Sequence, residues 1–473
     1  DQYVADDPKK WSKGKRPRLA QVGNDWKLTI DERKRILLTH MYGVDIDAQA
    51  VEVTKLSLLL KVLEGEDEQT ISSQMALFQE RVLPNLARNI KCGNSLIGSD
   101  FYEGQQLTLL DEEEMYRINV FDWDREFSEI IKVGGFDVVI GNPPWISLSG
   151  KFGNDIHSLS EMRYLIQRFQ GNTYMPNMYE YFVAQGLNLT KHHGFFGFIV
   201  PDRLGFNDQF IQLRKRILTE SEIRLLMYKA PFPNITADTL IFVFQKEEWG
   251  KNHLVSISEY GKPEMQRLQN ELLEHPTYAF EYFEDVESMQ IISRIESLPN
   301  IERIYDICDS TSGFGGKSTL IQKVQTSPEQ IPALKGDSIR RYEIRDGYWF
   351  EFKKENITGR TTDRNKLGTS PKILLRKTGD RIIATYDNSG IFPEQSLYFL
   401  YNNRTQMDFR FLLGILNSRL LTYYYRAKSL TNKKSIAQVK KKDLDLLPIY
   451  FDNVKFPRSG QKRDGHTQCL PCL

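Results

Sequence analysis

The stretch that most limits what this chain can fold into is Phe136-Asp137-Val138-Val139-Ile140-Gly141-Asn142-Pro143-Pro144-Trp145. Its apolar and β-branched first half makes a buried strand. Asn-Pro-Pro-Trp cannot continue that strand, because each proline fixes φ and removes an N–H donor. The loop at the strand's carboxyl end is therefore rigid, and it presents carbonyls, the Asn142 amide and the Trp145 ring. An amide oxygen and a proline carbonyl can together accept both hydrogens of an exocyclic amine, while an aromatic face stacks on the planar heterocycle that carries it. The plain alternative is a strand followed by a proline turn with a half-buried Trp, and the flanking segments favour the chemical reading.

Those segments alternate between helix and strand. Thr29 or Asp31 caps a helix running through Leu38, and Met41 to Asp45 reads as a strand. An acidic residue at a strand's carboxyl end can accept hydrogen bonds from both hydroxyls of a ribose, which makes Asp45 a candidate; Asp47 caps the next helix, Ala48 to Glu64. Asn89 to Ile97 reads as a short strand ending in Gly93-Asn94, with Asn94 either at an adenine edge or simply in a turn. Residues 147 to 177 form a long polar connection, expected to be a substrate-binding lid. Helix Met178 to Lys191, strand Gly194 to Pro201, helix Asn207 to Leu218 and strands Ile223 to Tyr228 and Thr239 to Gln245 follow. The alternation predicts a mostly parallel α/β sheet, helices on both faces and a ligand at the strands' carboxyl ends. Phe232 lies between Pro231 and Pro233, placed either to stack on a base opposite Trp145 or to pack beneath the hairpin.

Charge separates the two ends of the chain. Net charge is +1, yet Lys353 to Arg463 holds 23 Lys+Arg against 9 Asp+Glu, as expected of a part that meets a polyanion. Residues 251–304 read as a connector, 305–455 as a strand-rich region with basic turns, and 456–473 as a tail. Basic residues interleave with Tyr423, Tyr424 and Tyr425, suiting phosphate and base contacts, and Thr431 to Ser435 and the Lys440-Lys441-Lys442 run follow. Four cysteines, Cys92, Cys308, Cys469 and Cys472, make no disulfide framework and fit a reducing cytoplasm. Cys469 and Cys472 form a single Cys-x-x-Cys, so no metal site is expected. No apolar run approaches the roughly 20 residues of a membrane span. Gly313 to Ser318 imitates a phosphate loop but has Thr311 where the first glycine belongs, and Asp337 with Glu351 and Lys353 has nuclease residue types without a supporting feature.

Taken together, these motifs resemble the adenine-specific N6 DNA methyltransferases of restriction-modification systems, of the type IIG-like kind that fuses methylase and target-recognition region. Gly43-Val44-Asp45-Ile46-Asp47 resembles that family's ribose-binding segment, Gly93-Asn94-Ser95-Leu96 its adenine-side segment, and Asn142-Pro143-Pro144-Trp145 its catalytic motif. Phe232-Pro233 sits where the family places the aromatic that stacks on a flipped base. Leu412 to Ile449, with Leu416-Asn417-Ser418 and Leu447-Pro448-Ile449, resembles the end of its specificity domain. The resemblance implies a Rossmann-like methyltransferase sheet followed by an α+β target-recognition domain, with S-adenosylmethionine as cofactor and double-stranded DNA as partner. Asp45, Ile46, Asn94 and Ser95 would bind the cofactor; Asn142, Pro143, Pro144 and Trp145 would be catalytic, with Trp145 and Phe232 holding the base. The family's glycine-rich cofactor loop is absent, so the sheet is expected to be N-terminally incomplete and an upstream segment or subunit to supply the loop. The alternatives are a DNA-recognition fragment without independent catalysis, or methylation of N4 of cytosine, of RNA or of protein glutamine.

Overall fold

In the computed structural model the strand at 136–141 stops at Gly141, as the prolines require. The structure describes residues 2–66, 84–103, 112–148, 158–173, 176–233, 237–280, 286–379, 381–405, 407–428 and 439–451. Cys469, Cys472, the 456–473 tail, the Thr431 to Ser435 stretch and parts of the 147–177 connection lie outside them. Two units, Asp1–Phe280 and Glu281–Leu473, divide the chain.

After two short helical turns, Gln2–Asp6 and Pro8–Trp11, the first unit forms the hairpin β1 (Leu19–Val22) and β2 (Asp25–Leu28). Helix α1 (Ile30–His40) follows, and the Thr29 hydroxyl caps it by accepting from the Glu32 N–H. Strand β3 (Gly43–Asp45) leads into α2 (Ala48–Leu63), where the Asp47 carboxylate caps by accepting from the Gln49 N–H. Strand β4 (Ile90–Cys92) pairs parallel with β3 as a separate two-stranded sheet. Then come β5 (Phe136–Gly141), α3 (Leu159–Phe169), α4 (Met178–Leu189), β6 (Thr190–Pro201), α5 (Ile211–Glu220), β7 (Glu222–Tyr228), β8 (Thr239–Gln245), β9 (Leu254–Glu259) and β10 (Met265–Leu268). The main sheet has the order β10-β9-β7-β8-β6-β5.

The sheet is mixed. Strands β5 and β6 are parallel, as are β7 and β9, whereas β8 runs antiparallel to both β6 and β7. Phe196, Phe198, Val200, Leu240, Phe242 and Phe244 bury one face of it. Helix α4 is buried nearly all round. Gly186 lets it approach, since a Cβ there would lie 2.3 Å from the Phe196 ring. Arg214 on α5 is fully buried and donates to the carbonyls of Leu204, Asn207, Thr277 and Tyr278.

Two expectations need correction. The 147–177 connection contains a helix, α3, set by a Ser158–Glu161 capping box; the polar residues around it concealed its Leu159, Met162, Leu165 and Phe169 spacing. Residues 251–304 are not one connector, because Leu254–Glu259 and Met265–Leu268 extend the sheet. Leu254-Val255-Ser256-Ile257 is a strand pattern.

The second unit is an α+β assembly of short strands. Beyond β11 (Ile301–Arg303), a four-stranded sheet joins β12 (Asp309–Ser312), β15 (Leu397–Tyr401), β13 (Lys372–Arg376) and β14 (Ala384–Asp387), taken in sheet order, and its core includes Phe314, Leu334, Phe350, Leu374 and Phe399. Lys372 and Asp387 pair inside it at 3.1 Å, both fully buried. Helices α6 (Phe409–Leu416) and α7 (Arg419–Lys428) follow. Between them, the Asn417 side chain accepts from the Ala384 N–H and donates to the Ala384 carbonyl, pairing with the free edge of β14 as a further strand would. This explains the Leu416-Asn417-Ser418 motif as architecture. Pro448–Tyr450 pairs with β11. The tyrosine run is mostly core: Tyr424 and Tyr425 are buried, and the Tyr423 and Tyr424 hydroxyls donate to Ser288 and Glu296. A helix with these neighbours uses its aromatic rings for packing.

Candidate active site

Three segments meet the carboxyl-end edge of the first unit's main sheet. Asn142-Pro143-Pro144-Trp145 leaves β5, Asp202 follows β6, and the β7–β8 loop carries Phe232. That loop reaches the same edge because β8 reverses direction between β6 and β7. Asn142 and Pro144 are exposed, Pro143 is buried, and Trp145 and Phe232 are half-buried. The Trp145 and Phe232 rings touch, with centroids 5.3 Å apart and planes inclined by 36°. Phe232 therefore packs against the proline loop.

The loop is fixed from behind. Ile146 and Leu148 exchange backbone hydrogen bonds with Met178 and Pro176, and Ser147 bridges Asn177. One turn into α4, Glu180 is buried; its Oε1 accepts from the Asn172 N–H, and Oε2 finds no partner among the described residues. Burial pushes its carboxyl up to about 7. Asp202 is likewise raised to about 7, first by burial and then by the Asp238 carboxylate beside it. Reading the sequence missed both groups. Asp202 obeys the rule that singled out Asp45, an acid at a strand's carboxyl end; Glu180 in a first helical turn looks like an ordinary capping acid.

A second cluster lies at the ends of β3 and β4. The Asp45 carbonyl accepts from the Gly93 N–H at 2.9 Å, and one carboxylate oxygen accepts from the Asp47 N–H at 2.8 Å. The other has no partner among the described residues. Ile46 is exposed beside it. Asn94 Oδ1 accepts from the Leu96 N–H at 3.1 Å, and the Ser95 carbonyl accepts from the Trp123 indole at 3.0 Å. Gly93 has no room for a side chain: a Cβ would fall 2.6 Å from the Phe121 ring. A carboxylate oxygen free for hydroxyls, an exposed aliphatic face and a half-buried amide fit the nucleoside half of S-adenosylmethionine. Among the described residues, no group of His, Cys, Asp and Glu could hold a metal ion, and no helix is long and apolar enough to cross a membrane. The false motifs are structural: Asp337 accepts from the Tyr348 hydroxyl, and Glu351 pairs with Lys353.

A sheet with its site at the carboxyl-end loops, joined to a separate α+β unit, defines a Rossmann-like methyltransferase fold with an appended recognition unit. Comparison with known proteins gives the likeness: residues 39–231 match the Eco57I restriction-modification methylase family, and residues 331–449 match the TaqI-like C-terminal specificity domain. Similar proteins include a provisionally named type II restriction enzyme and methyltransferase of Methanocaldococcus jannaschii, 25% identical over 90% of this chain and 45% of that protein. Another is the type II restriction enzyme and methyltransferase RM.Eco57I of Escherichia coli, 25% identical over 82% of this chain and 35% of its own. The chain thus spans less than half the length of these curated relatives. Among solved structures, the type IIL restriction-modification enzyme MmeI in complex with DNA shares the fold with a TM-score of 0.50 and 10% identity, over 90% of this chain and 56% of MmeI.

Proposed function

We propose that the chain transfers a methyl group to N6 of an adenine flipped out of duplex DNA, within a restriction-modification system. The observation that carries this reading is the contact between Trp145 and Phe232 beside Asn142. On this reading the pair of aromatic faces would stand against the Asn142 amide oxygen and the Pro143 carbonyl, which leave the same strand end. A base held between the rings presents its exocyclic amine to those two acceptors, which take its hydrogens and concentrate lone-pair density on the nitrogen. Pro144 stiffens the turn, so the acceptors are preorganised before the base arrives. S-adenosylmethionine, when bound, supplies an electrophilic methyl group; Asp45, Ile46, Asn94 and Ser95 would hold its nucleoside half. The basic 353–463 stretch, which falls within the second unit, supplies phosphate contacts to double-stranded DNA.

The test is methyl transfer from labelled S-adenosylmethionine to duplex oligonucleotides, followed by digestion to nucleosides. N6-methyladenine is expected, and Asn142→Ala should abolish it while retaining duplex binding. N4-methylcytosine as the sole product, or wild-type turnover by Asn142→Ala, would overturn the reading.

A further inference from the structure

We propose that Tyr342, at the tip of a two-residue hairpin in the second unit, is a wedge that inserts its ring between bases of duplex DNA. The hairpin pairs Ile339 with Ile344 and Arg340 with Glu343, which leaves Arg341 and Tyr342 as its turn. Tyr342 has φ 67°. At the second position of such a turn this left-handed conformation is ordinarily supplied by glycine or asparagine, and it strains a bulky side chain. Strain of this kind persists only where the surroundings over-determine it, and it clusters at functional positions. Here the bracing is visible. The Tyr342 N–H donates to the Ala384 carbonyl at 3.1 Å, the same carbonyl that the Asn417 amide holds. Beside it, Arg341 Nη2 donates to the Thr422 hydroxyl of α7 at 3.4 Å.

Packing does not account for the strain. Tyr342 is 60% exposed, and among the described residues its ring and hydroxyl meet no hydrogen-bond partner, cation or second ring. Tyr278, also at positive φ, shows the contrast: Lys215 lies over its ring at 5.8 Å, and its carbonyl accepts from Arg214. The side chains beside Tyr342 are largely cationic. Arg340 and Arg345 are exposed, Arg345 pairing with Glu343 at 3.1 Å, and the buried Arg341 Nε has no partner among the described residues. An unpartnered ring raised on a braced turn among arginines has the chemistry of a stacking wedge with phosphate contacts at its sides. The inference rests on the proposed function, in which the second unit meets duplex DNA. The wedge enters where the stack opens most cheaply, at a pyrimidine–purine step, and so adds sequence preference without a hydrogen bond to any base edge.

The test is selection from randomised duplexes by the full chain, as wild type, Tyr342→Phe and Tyr342→Gly, followed by affinity titration on the selected duplex at several salt concentrations. Wild type and Tyr342→Phe should enrich a pyrimidine–purine step at one fixed position. Tyr342→Gly should melt no lower than wild type, because glycine adopts this φ without strain. It should nevertheless bind the selected duplex about tenfold or more weakly, with an unchanged salt slope, since no phosphate contact is lost. Any of five results would overturn the wedge: no fixed step enriched by wild type, equal affinity of Tyr342→Gly, an equal loss in Tyr342→Phe, a shallower salt slope, or a lower melting temperature for Tyr342→Gly, which would make the ring a packing element. None of these readouts follows methyl transfer. The wedge can therefore fail while N6-methyladenine still forms, and the adenine reading can fail while the wedge holds.

Discussion

Raising the pH should loosen the first unit through one side chain, Glu180. The residue is 5% exposed, its carboxyl meets only backbone donors, of Asn172 and Asn177, and Oε2 has no partner among the described residues. Burial raises its pKa from 4.5 to about 7. The folded state therefore holds this proton over a pH range in which the unfolded chain has released it. The stabilisation is complete below about pH 4.5 and is lost as the pH climbs through about 7. At about 1.36 kcal/mol per pKa unit, the loss is at most about 3 kcal/mol. Glu180→Gln keeps the shape and the acceptor for Asn172 but cannot ionise. At pH 8.5 it should unfold about 2–3 kcal/mol later than wild type, or roughly 4–10 °C higher in a thermal melt. At pH 4.5 the two should agree within about 1 kcal/mol. Thermal unfolding followed by circular dichroism across this range is the assay, and parallel pH profiles for the two proteins would refute the reasoning.

Other perturbations test the packing. Arg214→Met should cost about 3–5 kcal/mol, because four carbonyls lose their donor together; a urea midpoint unchanged within about 0.3 M would contradict this. Lys372→Met should destabilise the second unit by a similar amount, by stranding the Asp387 carboxylate, and Lys372→Met with Asp387→Leu should recover most of it. Failure of the double variant to recover would mean the pair also positions the turn bonded to Lys372 through Leu367 and Thr369. Gly93→Ala should cost about 1–3 kcal/mol through its clash with Phe121, and an unchanged melting temperature would show that the ring can move aside.

Periodicity and turn chemistry made much of the first unit legible. Thr239–Gln245 and the start of α2 at Ala48, capped by Asp47, follow directly from alternation and capping. The prolines after Gly141 fixed where β5 must stop. What escaped were weak local patterns and features set by distant residues. Helix α3 is built from a sparse apolar stripe among polar neighbours, and the short strand pattern of β9 gains its place by pairing with β7, as β10 does by pairing with β9. The tyrosine run looked like a contact surface because the partners that bury it, including Ser288 and Glu296, are more than a hundred residues away. At the site, sequence picked out Trp145 and Phe232 separately. Only the antiparallel insertion of β8 shows why they meet.

That meeting has an energetic consequence for any guest. A planar ring seated between two others needs them about 7 Å apart, two van der Waals thicknesses, whereas Trp145 and Phe232 rest at 5.3 Å. Entry therefore breaks one aromatic contact and makes two, a net gain of a single stacking interaction, on the order of 1 kcal/mol. On the proposed reading, the pair would act as a latch that weakens capture by whatever fraction of time it stays closed. Bases that stack poorly would fail to spring it, and the indole fluorescence of Trp145 would report each opening.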